Sequence, residues 1–222
     1  SRTELDSRPP ARAHGLDPTR HFLYAGTLGL KHAPGLVRDL AIARRGLADV
    51  RVVVVSEGRG ANWLAEECRR YRLDNLVLLP YQPYSQLPEV LASADVLVAI
   101  LESDAGEFSV PSKVLSYHCA GRAILGAIPA RNLAARIIER AESGIVVDSD
   151  DVGAFLEAAI ALINDPSQLA AMGAAGRAYA EATFDIDRIA DAFSRVISQA
   201  LEVSGGRAPL EVDAEPTQNR GN

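Results

Sequence analysis

Between residues 21 and 151 short aliphatic runs alternate with longer segments of helical period, and this alternation constrains the fold more than any other feature. Runs over 22–25, 51–55, 76–79, 96–100, 123–126 and 144–147 read as strands. Helical patterns over 34–45, 63–71, 87–92, 112–119 and 132–141 fill the gaps. Strand and helix in strict turn make βαβ units, so the expected fold is α/β, a doubly wound parallel sheet of about six strands. After Asp151 the alternation stops, and helices over 152–163, 167–182 and 186–201 form a helical C-terminal end.

Composition narrows the function classes. In 222 residues, 48% are apolar, enough for one large domain or two small ones. Twenty-three basic residues against 29 acidic give a net charge of −6, and no Lys/Arg-rich run could neutralise a nucleic acid backbone, so nucleic acid is not an expected partner. Apolar stretches such as 96–101 fall far short of the roughly 20 residues a bilayer span needs. Cys68 and Cys119 have no ligand spacing, and the N-terminus lacks the apolar core of a leader, so a cytoplasmic location is expected. Residues 1–20 read as linker, 21–201 as the folded domain and 202–222 as a polar tail. Of the 23 basic residues only Lys31 and Lys113 are lysines.

In doubly wound sheets ligands bind beyond the carboxyl ends of the strands. The loop after the first strand runs from Gly26, Thr27 and Gly29 to Lys31, His32 and Pro34. Glycines that admit a ligand, a helix N-terminus and a lysine can cradle an anion; a plain turn is the alternative reading. It carries neither the dinucleotide nor the P-loop fingerprint. Gly58 and Gly60 follow the second strand, either facing the same crevice or supplying positive φ. After the fourth strand, Glu102 to Lys113 leads into a helix whose first turn carries that lysine against the helix dipole. Lys31 and Lys113 could converge on one phosphate-bearing ligand, or Lys113 could pair with Glu102 or Glu107.

The ordered motifs resemble the C-terminal half of a retaining glycosyltransferase of the group 1, or family four, type, with the two-domain type B architecture. They are Tyr24-Ala25-Gly26-Thr27-Leu28-Gly29 with Lys31, Val53 to Gly58, Leu79-Pro80-Tyr81-Gln82-Pro83, Ala94-Asp95-Val96, Val110-Pro111-Ser112-Lys113-Val114-Leu115-Ser116-Tyr117, and Gly144 to Val147. The resemblance covers about residues 21–200, and its Pro-Ser-Lys form is similar to the subgroup that makes bacterial surface polysaccharides. It implies a Rossmann-like domain that binds a nucleoside-diphosphate sugar, with UDP as the expected base carrier and no metal. Lys31 would meet the diphosphate as a catalytic cation. Gly58 and Gly60 would lie beside the nucleotide, Tyr81 and Gln82 would hold the base, and Glu107, Phe108, Ser109 and Val110 would hold diphosphate and sugar through main-chain N–H groups. Glu107 is the nearest counterpart of the family's catalytic carboxylate, and Ser116 stands where the family's ribose-binding Glu is expected.

The resemblance also implies a missing partner, the N-terminal acceptor-binding domain, which nothing before residue 21 could form. The chain is then half of the catalytic unit, excised or naturally split. The whole enzyme would be open to peripheral membrane association. An uncovered apolar face of the last helix (Ile189, Phe193, Val196, Ile197) could promote a homodimer. A nucleotide-sugar 2-epimerase and a non-enzymatic doubly wound interaction module are the alternatives. Asp148-Ser149-Asp150 and Asp185-Ile186-Asp187 match a metal-binding Asp-x-Asp pattern, but each precedes a helix, where Asp and Ser serve as caps. The four histidines show no ligand spacing.

Overall fold

The computed structural model describes residues 20–29, 33–47, 49–104, 106–107 and 110–205. Lys31, Phe108 and Ser109, together with the expected linker before Arg20 and most of the expected tail, lie outside the described residues. The chain divides into two units, Ser1–Ala182 and Thr183–Asn222.

The first unit is built on a six-stranded sheet of order β3-β2-β1-β4-β5-β6. Its strands are β1 (Arg20–Ala25), β2 (Val50–Val55), β3 (Leu76–Leu79), β4 (Val96–Ile100), β5 (Ala123–Ala127) and β6 (Gly144–Val147). Every pairing is parallel. Parallel neighbours need crossover helices that cover both faces, which is why the strands are apolar almost throughout and not merely on alternate residues. The crossover helices are α1 (Pro34–Ala43), α2 (Arg59–Tyr71), α3 (Leu87–Ala92), α4 (Ser112–Ala120) and α5 (Leu133–Arg140), and after the last strand follow α6 (Val152–Asn164) and α7 (Pro166–Thr183).

The pleat sends alternate side chains to opposite faces and makes two cores. Phe22, Tyr24, Val52, Val54, Val96 and Val98 pack with Leu36 and Leu40 of α1 and Phe155 and Leu162 of α6. Leu23, Ala25, Val53, Val55, Leu97 and Ala99 pack with Val90, Leu91, Val114, Tyr117 and Ile138.

The order of strands reverses between β1 and β4, and there the ladder is short: only Phe22 and Leu23 pair with Val96 and Leu97. β1 stays registered on β2 as far as Ala25 opposite Val55. The carboxyl ends of β1 and β4 therefore diverge, which is the place where this class of sheet opens a ligand crevice.

Three expectations are corrected. Helix α2 begins at Arg59, four residues earlier than the sequence suggested, because Gly58 with φ of 95° turns the chain directly from β2 into the helix. A 3-10 turn over Tyr84–Gln86, absent from the sequence reading, carries the chain from Pro83 into α3. Near Asp148-Ser149-Asp150 the helix cap is the next residue, Asp151, whose Oδ1 accepts from the Ala154 N–H at 2.9 Å, while Asp148 only closes a local turn on the Asp150 N–H. No group of three His, Cys, Asp or Glu side chains suited to a metal occurs among the described residues.

The second unit is represented by α8 (Ile186–Gly205), whose first turn is capped by Asp185, accepting from the Arg188 N–H at 2.9 Å. Phe193, Val196, Ile197 and Leu201 recur at helical spacing along it. No helix among the described residues is long and apolar enough to cross a membrane.

Candidate functional site

A cavity of 540 Å3 opens at the divergence of β1 and β4. Its floor is Ala25, Val55 and Ile100 at the strand ends, and its walls are Gly26 and Thr27 after β1, Tyr81, Gln82 and Tyr84 after β3, and Lys113, Ser116 and Tyr117 of α4. Each polar wall group has a reason to be there. Between the diverging strands the Ala25 N–H faces away from β2, which is already paired through Gly26 N–H and Val55 O at 3.0 Å. The buried Tyr117 hydroxyl takes the place of β4 and accepts from Ala25 N–H at 3.1 Å. It lies 3.2 Å from Val98 O, so one side chain joins the two separated strand ends.

The loop after β1 is held from two sides. Leu28 N–H donates to Ser56 Oγ at 3.1 Å, and Leu28 O accepts from Gly60 N–H at 3.1 Å. Tyr24 Oη donates to Thr27 O at 2.7 Å. Across the mouth, Thr27 Oγ1 meets Tyr81 Oη at 3.2 Å, and the Tyr81 N–H donates to Glu57 Oε1 at 3.0 Å. The lip formed by Tyr81 is thereby fixed to the loops after both β1 and β2. Tyr84 beside it is 88% exposed and offers a bare ring at the cavity edge.

Lys113 supplies the charge. Its Nζ sits 3.7 Å from the centroid of the Tyr24 ring, and its Cε and Nζ pass 3.5 Å from where a Cβ on Gly26 would lie. The pairing with Glu102 or Glu107 that the sequence left open is not made. Glu107 instead forms an ion pair with Arg136 of α5 at 3.0 Å, and its carbonyl accepts from the Leu133 N–H at 2.8 Å. Removal from water, the cause acting on Lys113, lowers its pKa to about 8. Among the described residues that line the cavity Lys113 is the one charged side chain, so the site favours an anion.

Comparison with known proteins decides the family. Residues 19–165 match the family described as "Glycosyl transferases group 1". The chain belongs to the group 1 glycosyltransferases. It is 28% identical over 152 residues to the GDP-mannose-dependent monoacylated alpha-(1-6)-phosphatidylinositol monomannoside mannosyltransferase of Corynebacterium glutamicum, a match covering 67% of this chain and 39% of that protein. Among solved structures it is similar to Anabaena Alr3699/HepE in complex with UDP-glucose, at a TM-score of 0.73 and 15% identity over 90% of this chain and 53% of that one. It is also similar to the C-terminal domain of a glycosyl transferase group 1 family protein (LpcC) from Francisella tularensis, at a TM-score of 0.64 and 14% identity, covering 84% of this chain and 99% of that one. The chain thus spans well under two thirds of the mannosyltransferase and about half of HepE, and shares its fold with nearly all of the LpcC C-terminal domain.

Of the residues singled out from the sequence, Gly26, Thr27, Tyr81, Gln82, Lys113 and Ser116 come together around the cavity. Gly29, Gly58, Gly60, Glu107 and Val110 are not among its lining residues. Gly60 is explained by packing: a Cβ there would fall 2.1 Å from Leu28 O, so only glycine lets α2 approach the first loop. Val110 packs in the second core and Glu107 serves the α5 ion pair. Lys31, Phe108 and Ser109 lie outside the described residues. Sequence reasoning missed Tyr24 and Tyr117, because an aromatic in an apolar strand or helix reads as core, and Tyr84, because it sits in a short 3-10 turn with no periodic signal. The available signal was their place around the strand-end loops: Tyr24 is the last residue but one of β1, Tyr84 lies in the connection after β3, and Tyr117 is on the helix that follows the loop after β4.

Proposed function

We propose that this domain binds a nucleoside-diphosphate sugar and forms the donor half of a retaining, metal-independent glycosyltransferase acting at the cytoplasmic side in bacterial surface glycan synthesis. The acceptor-binding half is a separate domain or chain. The observation that carries the reading is the cavity at the strand divergence, lined both by a cation, Lys113 beside Gly26, and by the aromatic rings of Tyr81 and Tyr84. A ligand that satisfies both is anionic in one part and planar in another, as a nucleoside diphosphate is.

On this reading Lys113 and the N–H groups of the loops after β1 and β4 meet the diphosphate. As the sugar leaves, negative charge grows on that diphosphate, and a fixed cation in a site largely removed from water stabilises it more than in solution. Lys31, beside the same loop in sequence, would add a second cation. Ser116 offers a hydroxyl where the family resemblance leads one to expect a carboxylate. Ribose contact through that position is therefore neutral and shorter in reach.

Both UDP, expected from the sequence, and GDP, suggested by the Corynebacterium glutamicum relative, belong in the test. Isothermal titration of the chain with UDP, GDP, ADP and NAD is expected to show binding of one nucleoside diphosphate. Lys113→Met should abolish it. Absence of binding by all four, with the acceptor-binding half also supplied, would overturn the reading.

A further inference from the structure

Lys113 is unusual in what surrounds it. A lysine amine drawn off the surface normally finds a carboxylate, and here it finds an aromatic face: Nζ lies 3.7 Å from the Tyr24 centroid, well inside the ~6 Å range of cation–π attraction. The ring itself is fixed. Tyr24 is 1% exposed, belongs to β1 at its pairing with β2, and its hydroxyl is committed to Thr27 O at 2.7 Å. The open side of the amine faces Gly26, the one residue type that would not cover it: a Cβ there would lie 3.5 Å from both Cε and Nζ.

We propose that the Tyr24 ring is the seat of the Lys113 ammonium, holding the cation on the cavity wall in place of a carboxylate so that its full charge stays available to a diphosphate. This deepens the donor reading and rests on it. A carboxylate partner would have fixed the lysine equally well, but it would have cancelled the charge and competed with the incoming phosphate. A ring face attracts the cation through its quadrupole and carries no net charge. The other titratable groups around the cavity fit this role. Tyr24 and Tyr117 are held neutral by burial, Tyr81 engages Thr27, and Glu57 accepts from the Tyr81 N–H. Glu107 is engaged by Arg136.

The chain makes the test direct, because Lys31 and Lys113 are its only lysines. Protein carrying 13C-labelled lysine gives two ε-methylene signals, assigned with Lys31→Arg. The Lys113 signal is expected upfield of an exposed lysine through the ring current of Tyr24, with a titration midpoint near 8. Tyr24→Phe should preserve both features, and Tyr24→Leu should lose the upfield shift. Pyrophosphate or UDP should raise the midpoint in the wild type, and pyrophosphate should bind about tenfold more weakly to Tyr24→Leu but normally to Tyr24→Phe. A Lys113 signal at the position of an exposed lysine in the wild type overturns the seat, even if Tyr24→Leu does not fold, while leaving nucleotide binding to judge the donor reading separately. A ring-shifted signal that neither pyrophosphate, UDP nor GDP moves, with the acceptor-binding half also supplied, overturns the anchor and the donor reading together.

Discussion

Tyr117→Phe removes a single oxygen at the point where the sheet parts, and the structure gives the consequence a magnitude. The hydroxyl is fully buried on α4, accepts from the Ala25 N–H at 3.1 Å and lies 3.2 Å from Val98 O. β4 cannot replace it, since its pairing with β1 ends at Leu23 and Leu97. The substitution therefore leaves a buried N–H without an acceptor, which costs about 1–3 kcal/mol, and the ring keeps its packing so that no further cavity cost arises. A loss of about 2 kcal/mol in a domain of this size lowers the melting temperature by about 4–8 °C. Urea unfolding followed by circular dichroism is expected to show a lower midpoint with an unchanged slope, since the surface exposed on unfolding is the same. Nucleoside diphosphate binding should weaken as well, because the strand ends that floor the cavity lose the group joining them. A Tyr117→Phe protein within about 0.5 kcal/mol of the wild type would refute the argument, by showing that the strand ends are satisfied without the hydroxyl.

Tyr84→Ala should weaken nucleotide binding about tenfold, in line with the 1–3 kcal/mol of a base stacked on an aromatic ring, with no change in melting temperature because Tyr84 is 88% exposed; calorimetric titration checks both halves. Gly60→Ala should destabilise the domain and release the loop after β1, since its Cβ would meet Leu28 O at 2.1 Å, and the melting temperature together with proteolysis of that loop would report it. The folded Lys113 amine gives up its proton near pH 8, whereas in the unfolded chain it does so near 10.5. Between those values the unfolded chain holds the extra proton, so stability contributed at this site rises with pH, by at most about 1.4 kcal/mol per pH unit. The difference in urea stability between the wild type and Lys113→Met should therefore change across pH 8 to 10 and stay level from pH 6 to 7. Over the same upper range, binding of a nucleoside diphosphate should fall.

The sheet was legible because its signal is collective. β3, β4 and β6 begin and end where their aliphatic runs do, and the crossover rule then permits few arrangements. The early start of α2 was not legible, because Arg59, Gly60, Ala61 and Asn62 lack an apolar face and Gly60 is a poor helix former. Its helical state comes from a tertiary contact, the Gly60 N–H on Leu28 O at 3.1 Å. The 3-10 turn at Tyr84 is short enough to leave no periodic trace.

The site divides along the same physical line. Lys113 stood out as an uncompensated charge in the first turn of a helix, a local anomaly that a sequence can show. What balances it is Tyr24, 89 positions earlier in β1, brought alongside only because the order of strands places β1 next to β4 and α4 covers their parting. The same arrangement brings Tyr117 to Ala25 across 92 positions. Both aromatics occupy apolar patterns and are core residues by burial, and each also does polar work, Tyr24 with the face of its ring and Tyr117 with its hydroxyl. Glu107 shows the converse: a carboxylate in the expected loop whose partner, Arg136, lies on a neighbouring helix and draws it into an ion pair outside the cavity lining. A residue's chemistry is thus readable from sequence when its strain is local. Its role in the site is settled by whichever partner the topology brings to it, and in this sheet the divergence of β1 and β4 makes that selection.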